Sequence, residues 1–158
     1  MDTTLTKHER NLSAIIHAAT LSRYFIPLGN IVLPLVLWLA NRNELKFVDY
    51  NGKQALNFQI SLILYSALAG LLTIPFFIGS FSDIFHNSVW QDINQWDTID
   101  FHWESSSFPF NRFFWPVGIA GFVHMILSLI NLIYTIIATL RTNEGTYFEY
   151  PITIKFIK

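Results

Sequence analysis

The sequence predicts an all-α integral membrane protein, a four-helix arrangement in which a short N-terminal helical hairpin packs on two full transmembrane helices. Three observations carry that expectation. First, no Asp, Glu, Lys or Arg occurs between Lys53 and Asp83 or between Arg112 and Arg141. About 20 apolar residues cross a hydrocarbon core of about 30 Å, so each run is long enough to span. Second, hydrophobic residues make up 52% of the 158 and charged residues only 13%, about half the charged share usual in a soluble domain. Third, an earlier apolar stretch is broken by Pro27-Leu28-Gly29-Asn30, a turn sequence that folds it back on itself.

Taken in chain order, residues 9–26 and 31–40 form the two arms of the hairpin. The second arm is only about 15 Å long at 1.5 Å per residue, too short for an undistorted bilayer. The hairpin is therefore re-entrant, or it spans where neighbouring protein or a thinned bilayer shelters its turn. Pro34 adds a kink or a late helix start. The apolar stretch ends in Arg23 and Tyr24 rather than a small-residue cleavage site, so a cleavable signal peptide is not expected. An inner loop follows, in which Asp49 caps the next helix, Asn51-Gly52 offers a turn and Lys53 reaches the headgroups. Spans at 54–78 and 113–140 complete the set.

Counting charge orients the four passages. Lys7, Arg10, Arg42, Lys46, Lys53, Arg141, Lys155 and Lys158 fall on one side, eight of the ten basic residues. The positive-inside rule makes that side the cytoplasm and leaves both termini there. Residues 1–158 read as a single membrane domain with an extracytoplasmic, aromatic-rich insertion at 82–112 and a cytoplasmic tail at 143–158. Within the insertion, Phe85, Val89, Ile93 and Trp96 make one stripe of a short helix lying flat. Aromatic residues around Ser105-Ser106-Ser107 suggest an interfacial anchor. The competing reading is a partner-docking surface formed by Phe85, Trp90, Trp96, Trp103, Phe108 and Phe110, because aromatic clusters supply binding hot spots. The tail from Ile152 to Lys158 alternates apolar and polar residues as a strand does, and either lies against the inner loop or adds to a partner's sheet edge.

Several function classes are disfavoured. A net charge of −1 argues against nucleic-acid binding, which draws its affinity from basic surface. Zero cysteines remove disulfides, thiolate metal sites and cysteine nucleophiles. His17 and His124 lie on different helices without nearby carboxylates, and His86 and His102 show no ligand spacing, so no metal site is expected. No G-x-S-x-G elbow occurs. Neither catalytic residues nor a cofactor are expected, and the chain is read as not an enzyme.

Polar residues inside the spans follow helical spacing. Asn57, Ser61, Tyr65, Ala69 and Thr73 recur at steps of four, and Gly121, His124, Ser128, Asn131, Thr135 and Thr139 at steps of three or four. Asn57, Gln59, Ser61, His124, Ser128 and Asn131 form the candidate polar membrane face. It serves either as interhelical glue, at about 1 kcal/mol per contact, or as a polar conduit. At its inner end Asp49, Lys53, Asn57 and Gln59 could form a vestibule that binds an extended peptide or another subunit.

Three runs, YFIPLGNIVLPLVLWL, FVDYNGKQALNFQISLILY and EYPITIKFIK, occur in the order seen in the Tic-twenty-like family of small bacterial membrane proteins, which the chain resembles outside 82–112. That family is distantly similar to a chloroplast inner-envelope protein-import subunit with four membrane helices. The resemblance implies the bacterial cytoplasmic membrane as location, and the charge count places both termini on its cytoplasmic side. It also implies a non-enzymatic accessory subunit of a larger membrane complex, in protein translocation or envelope biogenesis. The alternative expectation is a small channel or transporter using the polar interhelical faces. Expected partners are membrane lipids and other membrane-protein subunits, and no nucleic acid.

Overall fold

The computed structural model describes residues 5–84 and 110–158. All regular structure among them is helical: α1 (Lys7–Ala19), a 3-10 helix (Thr20–Tyr24), α2 (Gly29–Asn41), α3 (Lys46–Ile84) and α4 (Phe110–Asn143). The stripe expected from Phe85 to Trp96 and the docking residues Trp90, Trp103 and Phe108 lie outside the described residues. Phe110 is the first residue of α4.

A reciprocal capping box starts α1: Glu9 N–H donates to Thr6 Oγ1 at 3.2 Å and Thr6 N–H donates to Glu9 Oε2 at 2.8 Å. Two amide donors that the helix cannot satisfy are thereby paired. Beyond Ala19 the chain tightens into the 3-10 helix as the Thr20 and Ser22 hydroxyls donate back to His17 O and Ala19 O, bonds that compete with regular α geometry. Leu28 then takes a left-handed conformation, φ 59°, and reverses the chain. Gly29 follows because a Cβ there would sit 2.6 Å from Ser22 Oγ. With 13 residues, α2 is about 20 Å long, still short of a bilayer core.

The inner loop expected before residue 54 is largely helix, since α3 begins at Lys46. Tertiary packing overrides the turn preference of Asn51-Gly52. A Cβ on Gly52 would lie 2.2 Å from Trp38 Cδ1, so this glycine lets the α2 indole press against the α3 backbone. Asn51 donates to Phe47 O at 2.9 Å, one helical turn back. Asp49 sits in the first turn of α3, where its charge complements the helix dipole. Its carboxylate accepts from Trp38 Nε1 at 2.9 Å and Lys53 Nζ at 2.6 Å.

The segments Lys46–Pro75 and Phe114–Asn143, with mean hydropathies of 1.7 and 2.0, are long and apolar enough to cross a membrane. A Schellman motif ends α4: Thr146 N–H donates to Arg141 O at 3.0 Å and Gly145 N–H to Thr142 O at 2.9 Å. Gly145 supplies the positive φ of 91° that this termination requires. No strand forms in the tail among the described residues.

The chain divides into two compact units, Met1–Tyr65 with Leu127–Lys158, and Ser66–Ile126. The first has a true core, in which Ile16, Trp38, Val48, Ala55 and Leu56 form one cluster and Phe58, Leu62, Ala138 and Tyr150 another. The described part of the second unit is largely apolar and exposed, as at Leu68, Leu71, Leu72, Phe114, Ile119 and Phe122. It holds an apolar cavity of about 250 Å³ lined by Ala69, Leu72, Trp115, Pro116, Ile119 and Val123, among others. Among the described residues, nothing beyond the local helix backbone and chain neighbours lies within 4 Å of where a Cβ on Gly70, Gly118 or Gly121 would stand.

Candidate functional site

The polar residues of the first unit converge on a buried network with three parts. His17, brought inward on α1, is fully buried. Its Nε2 faces Asn51 Oδ1 at 3.2 Å and its Nδ1 faces Tyr150 Oη at 2.9 Å. Because the Asn51 amide nitrogen is committed to Phe47 O, its oxygen must accept. The arrangement therefore assigns the imidazole proton to Nε2, with Tyr150 O–H donating to Nδ1. The Tyr150 ring stacks on Phe58 at 4.1 Å, and the Thr142 hydroxyl donates to the same Asn51 oxygen at 3.4 Å.

The second part is a chain of amides. Asn30 Nδ2 of α2 donates to Gln59 Oε1 at 2.9 Å, and Gln59 Nε2 donates to Asn131 Oδ1 of α4 at 2.7 Å. Gln59 is thus the relay between two helices. Thr135, one turn beyond Asn131, pairs with Thr20 at 3.2 Å. The relay residues are buried: Gln59, Asn131, Thr135 and Thr20 expose 0% of their surface and Asn30 6%. One donor, Asn131 Nδ2, has no partner.

In the third part the C-terminal tail is gripped by side chains of α3. Asn57 Oδ1 accepts from Phe156 N–H at 3.1 Å and Ile157 N–H at 2.8 Å, and Asn57 Nδ2 donates to Ile157 O at 3.0 Å. Ser61 Oγ accepts from Ile154 N–H at 2.9 Å, and Tyr65 O–H donates to Ile152 O at 2.8 Å. Spacing of four residues stacks these three side chains on one face of α3; apart from the Ser61 hydroxyl's own donation to Asn57 O at 2.7 Å, their bonds go to tail backbone.

Four of the six residues expected on a polar membrane face therefore belong to the network: Asn57, Gln59, Ser61 and Asn131. Ser128 faces Tyr24 Oη at 3.2 Å at an exposed edge. His124 is exposed and donates within its own helix, to Ala120 O at 2.8 Å. Asp49 and Lys53 form an i,i+4 ion pair and do not join the amide chain. Sequence reasoning missed Thr20, Asn30, Asn51, Thr142 and Tyr150. An amide at the head of an otherwise apolar helix was the available signal for Asn30; Asn51 was hidden by the glycine beside it.

Such a site can hold helices in register, and little else in it is reactive. Its groups are neutral donors and acceptors, all but Asn131 Nδ2 spent on one another or on backbone, and no cluster of three or more His, Cys, Asp or Glu occurs among the described residues. A net hydrogen bond contributes only about 0.5–1.5 kcal/mol, but an orphaned buried partner costs about 1–3 kcal/mol. The network therefore penalises wrong packings more than it rewards the right one.

Comparison with known proteins gives one family. No curated protein and no solved structure matches, whereas the model of the magnetosome magnetite crystal formation proteins, MamF/MmsF, matches residues 8–157. This corrects the Tic-twenty-like resemblance, and with it the expected accessory-subunit role in protein translocation or envelope biogenesis; the channel or transporter alternative finds no support either. The reason is visible in the three runs that carried the resemblance. They contain Asn30 and Trp38, then Asn51, Gly52, Asn57, Gln59 and Ser61, then Tyr150 and the gripped tail, so they encode helix packing, which does not specify a task. The match spans all four helices and nearly the whole tail, and the chain belongs to the MamF/MmsF magnetosome magnetite crystal formation protein family.

Proposed function

We propose that this chain is a non-catalytic, membrane-embedded participant in magnetite crystal formation, located in the magnetosome membrane. The observation that carries the reading is the family match over residues 8–157. The outer surfaces of the long helices support the membrane part. Leu64, Leu68 and Leu72 of α3 and Phe122, Met125 and Leu129 of α4 are all exposed, an apolar area that lipid covers at no cost and water does not. Charge supports an orientation with both termini cytoplasmic, eight of ten basic residues lying on that side. The network supports a scaffold rather than a catalyst, because all but one of its donors, Asn131 Nδ2, are committed to holding helices and tail together.

Deletion of the gene in its host, followed by electron microscopy of the crystals, tests this. Crystals altered in size or shape and restored by the wild-type gene are expected; crystals unchanged in both size and shape overturn the role in crystal formation. His17→Gln, which keeps a hydrogen-bonding side chain at the only buried histidine among the described residues, should also restore the crystals. Failure to do so at wild-type protein levels in the membrane would overturn the non-catalytic reading.

A further inference from the structure

We propose that residues 151–158 are a lipid-facing strap held in the interfacial layer of the bilayer along α3, instead of a free cytoplasmic tail. The proposal rests on the membrane reading of α3. The gripping residues Asn57, Ser61 and Tyr65 all lie within the Lys46–Pro75 segment that is apolar enough to span. From Asn57 to Tyr65 the helix rises about 12 Å, which carries the end of the strap at Ile152 well below the level of Ile157. Asn57 itself is about 6 Å along the axis from Lys53, the last basic residue before the apolar run.

Non-helical backbone tolerates membrane depth only where its polar groups are satisfied by protein. The side-chain ladder meets that condition: Phe156, Ile157 and Ile154 N–H, together with Ile157 and Ile152 C=O, are all bonded to α3 side chains. Ile157 packs against the core cluster, whereas the other large apolar side chains of the strap face outward. Ile152 is 54% exposed, Ile154 39% and Phe156 49%, an unusual expenditure of large apolar groups for a segment meant for water. The charges fit the same layer. Lys155 pairs with Glu149 at 2.8 Å, and lysine stems reach from apolar depth to the headgroups. Ile152 holds a left-handed φ of 52°, which a β-branched residue rarely adopts, and the bonds at Ile152 O and Ile154 N–H are what keep it there.

Single spin labels test the inference, and the chain has no native cysteine to remove. The full-length protein is labelled at Ile154→Cys or Phe156→Cys and reconstituted into phosphatidylcholine–phosphatidylglycerol vesicles. Collision with oxygen, which concentrates in hydrocarbon, is compared with collision with a water-soluble nickel chelate. Ile63→Cys on the outer face of α3 and Glu144→Cys in the exposed loop after α4 serve as references. The expected result is an oxygen-to-nickel ratio at 154 and 156 shifted to the Ile63 side of the scale. A ratio equal to that of Glu144, with Ile63 still lipid-like, overturns the strap alone. If Ile63 also matches Glu144, the membrane reading of α3 fails and the strap with it.

Discussion

At the scale of single residues, Gln59 shows most directly what the polar groups do. It accepts from Asn30 and donates to Asn131, so Gln59→Leu strands a buried donor on α2 and leaves the buried Asn131 acceptor on α4 only the long 3.5 Å bond from Thr135. Each stranded group costs about 1–3 kcal/mol, and a loss of at least about 2 kcal/mol is expected in thermal unfolding of the detergent-solubilised protein. Ser128→Ala removes only a bond at an exposed edge and should stay within about 0.5 kcal/mol of wild type. Equal melting of the two variants would remove the network from the account of stability. The need for partners at Asn57 and Gln59 was legible in the sequence, because amides in an apolar helix must be satisfied. The partners were not: Asn131 and Ile157 lie 72 and 100 positions away, and no local pattern encodes that distance.

At the scale of elements, the ends of the helices are set by local chemistry and their extents by packing. The four helices, two of them long and apolar, were readable from turn residues and charge-free runs. The start of α3 was not, because Asn51-Gly52 carries a turn signal that the Trp38 ring and the His17 bond overrule. The end of α4 is the clearest case of local control. Gly145 takes φ 91°, and a Cβ there would also lie 3.1 Å from Arg10 Cδ, so the residue both reverses the chain and receives a side chain of α1. An L-residue in the left-handed region costs roughly 1–2 kcal/mol, and Gly145→Ala should lower stability by about that amount. Gly121→Ala, in open space at φ < 0, should not. Denaturant midpoints of the two variants provide the check, and a harmless Gly145→Ala would mean that the tail can leave α4 by another path.

At the scale of the whole molecule, what distinguishes the two units is the kind of interaction each contains. The first combines an apolar core with hydrogen bonds that link α1, α2, α3, α4 and the tail; the described part of the second is apolar surface, with side-chain hydrogen bonds that stay within a helix, at Thr73 and His124. Opening a helix in the first unit must break bonds to several other segments at once, and local opening free energy rises with such coupling. Amide hydrogen exchange in a uniform detergent micelle should therefore be slower across residues 47–62 than across 66–75, although both stretches belong to α3. Gln59→Leu should accelerate exchange in the first stretch and leave the second unchanged. If the two stretches exchange alike in the wild type, the polar network does not organise the unit that contains it. If the variant accelerates both, α3 opens as one cooperative rod, and the rigidity assigned to the network belongs to the helix as a whole.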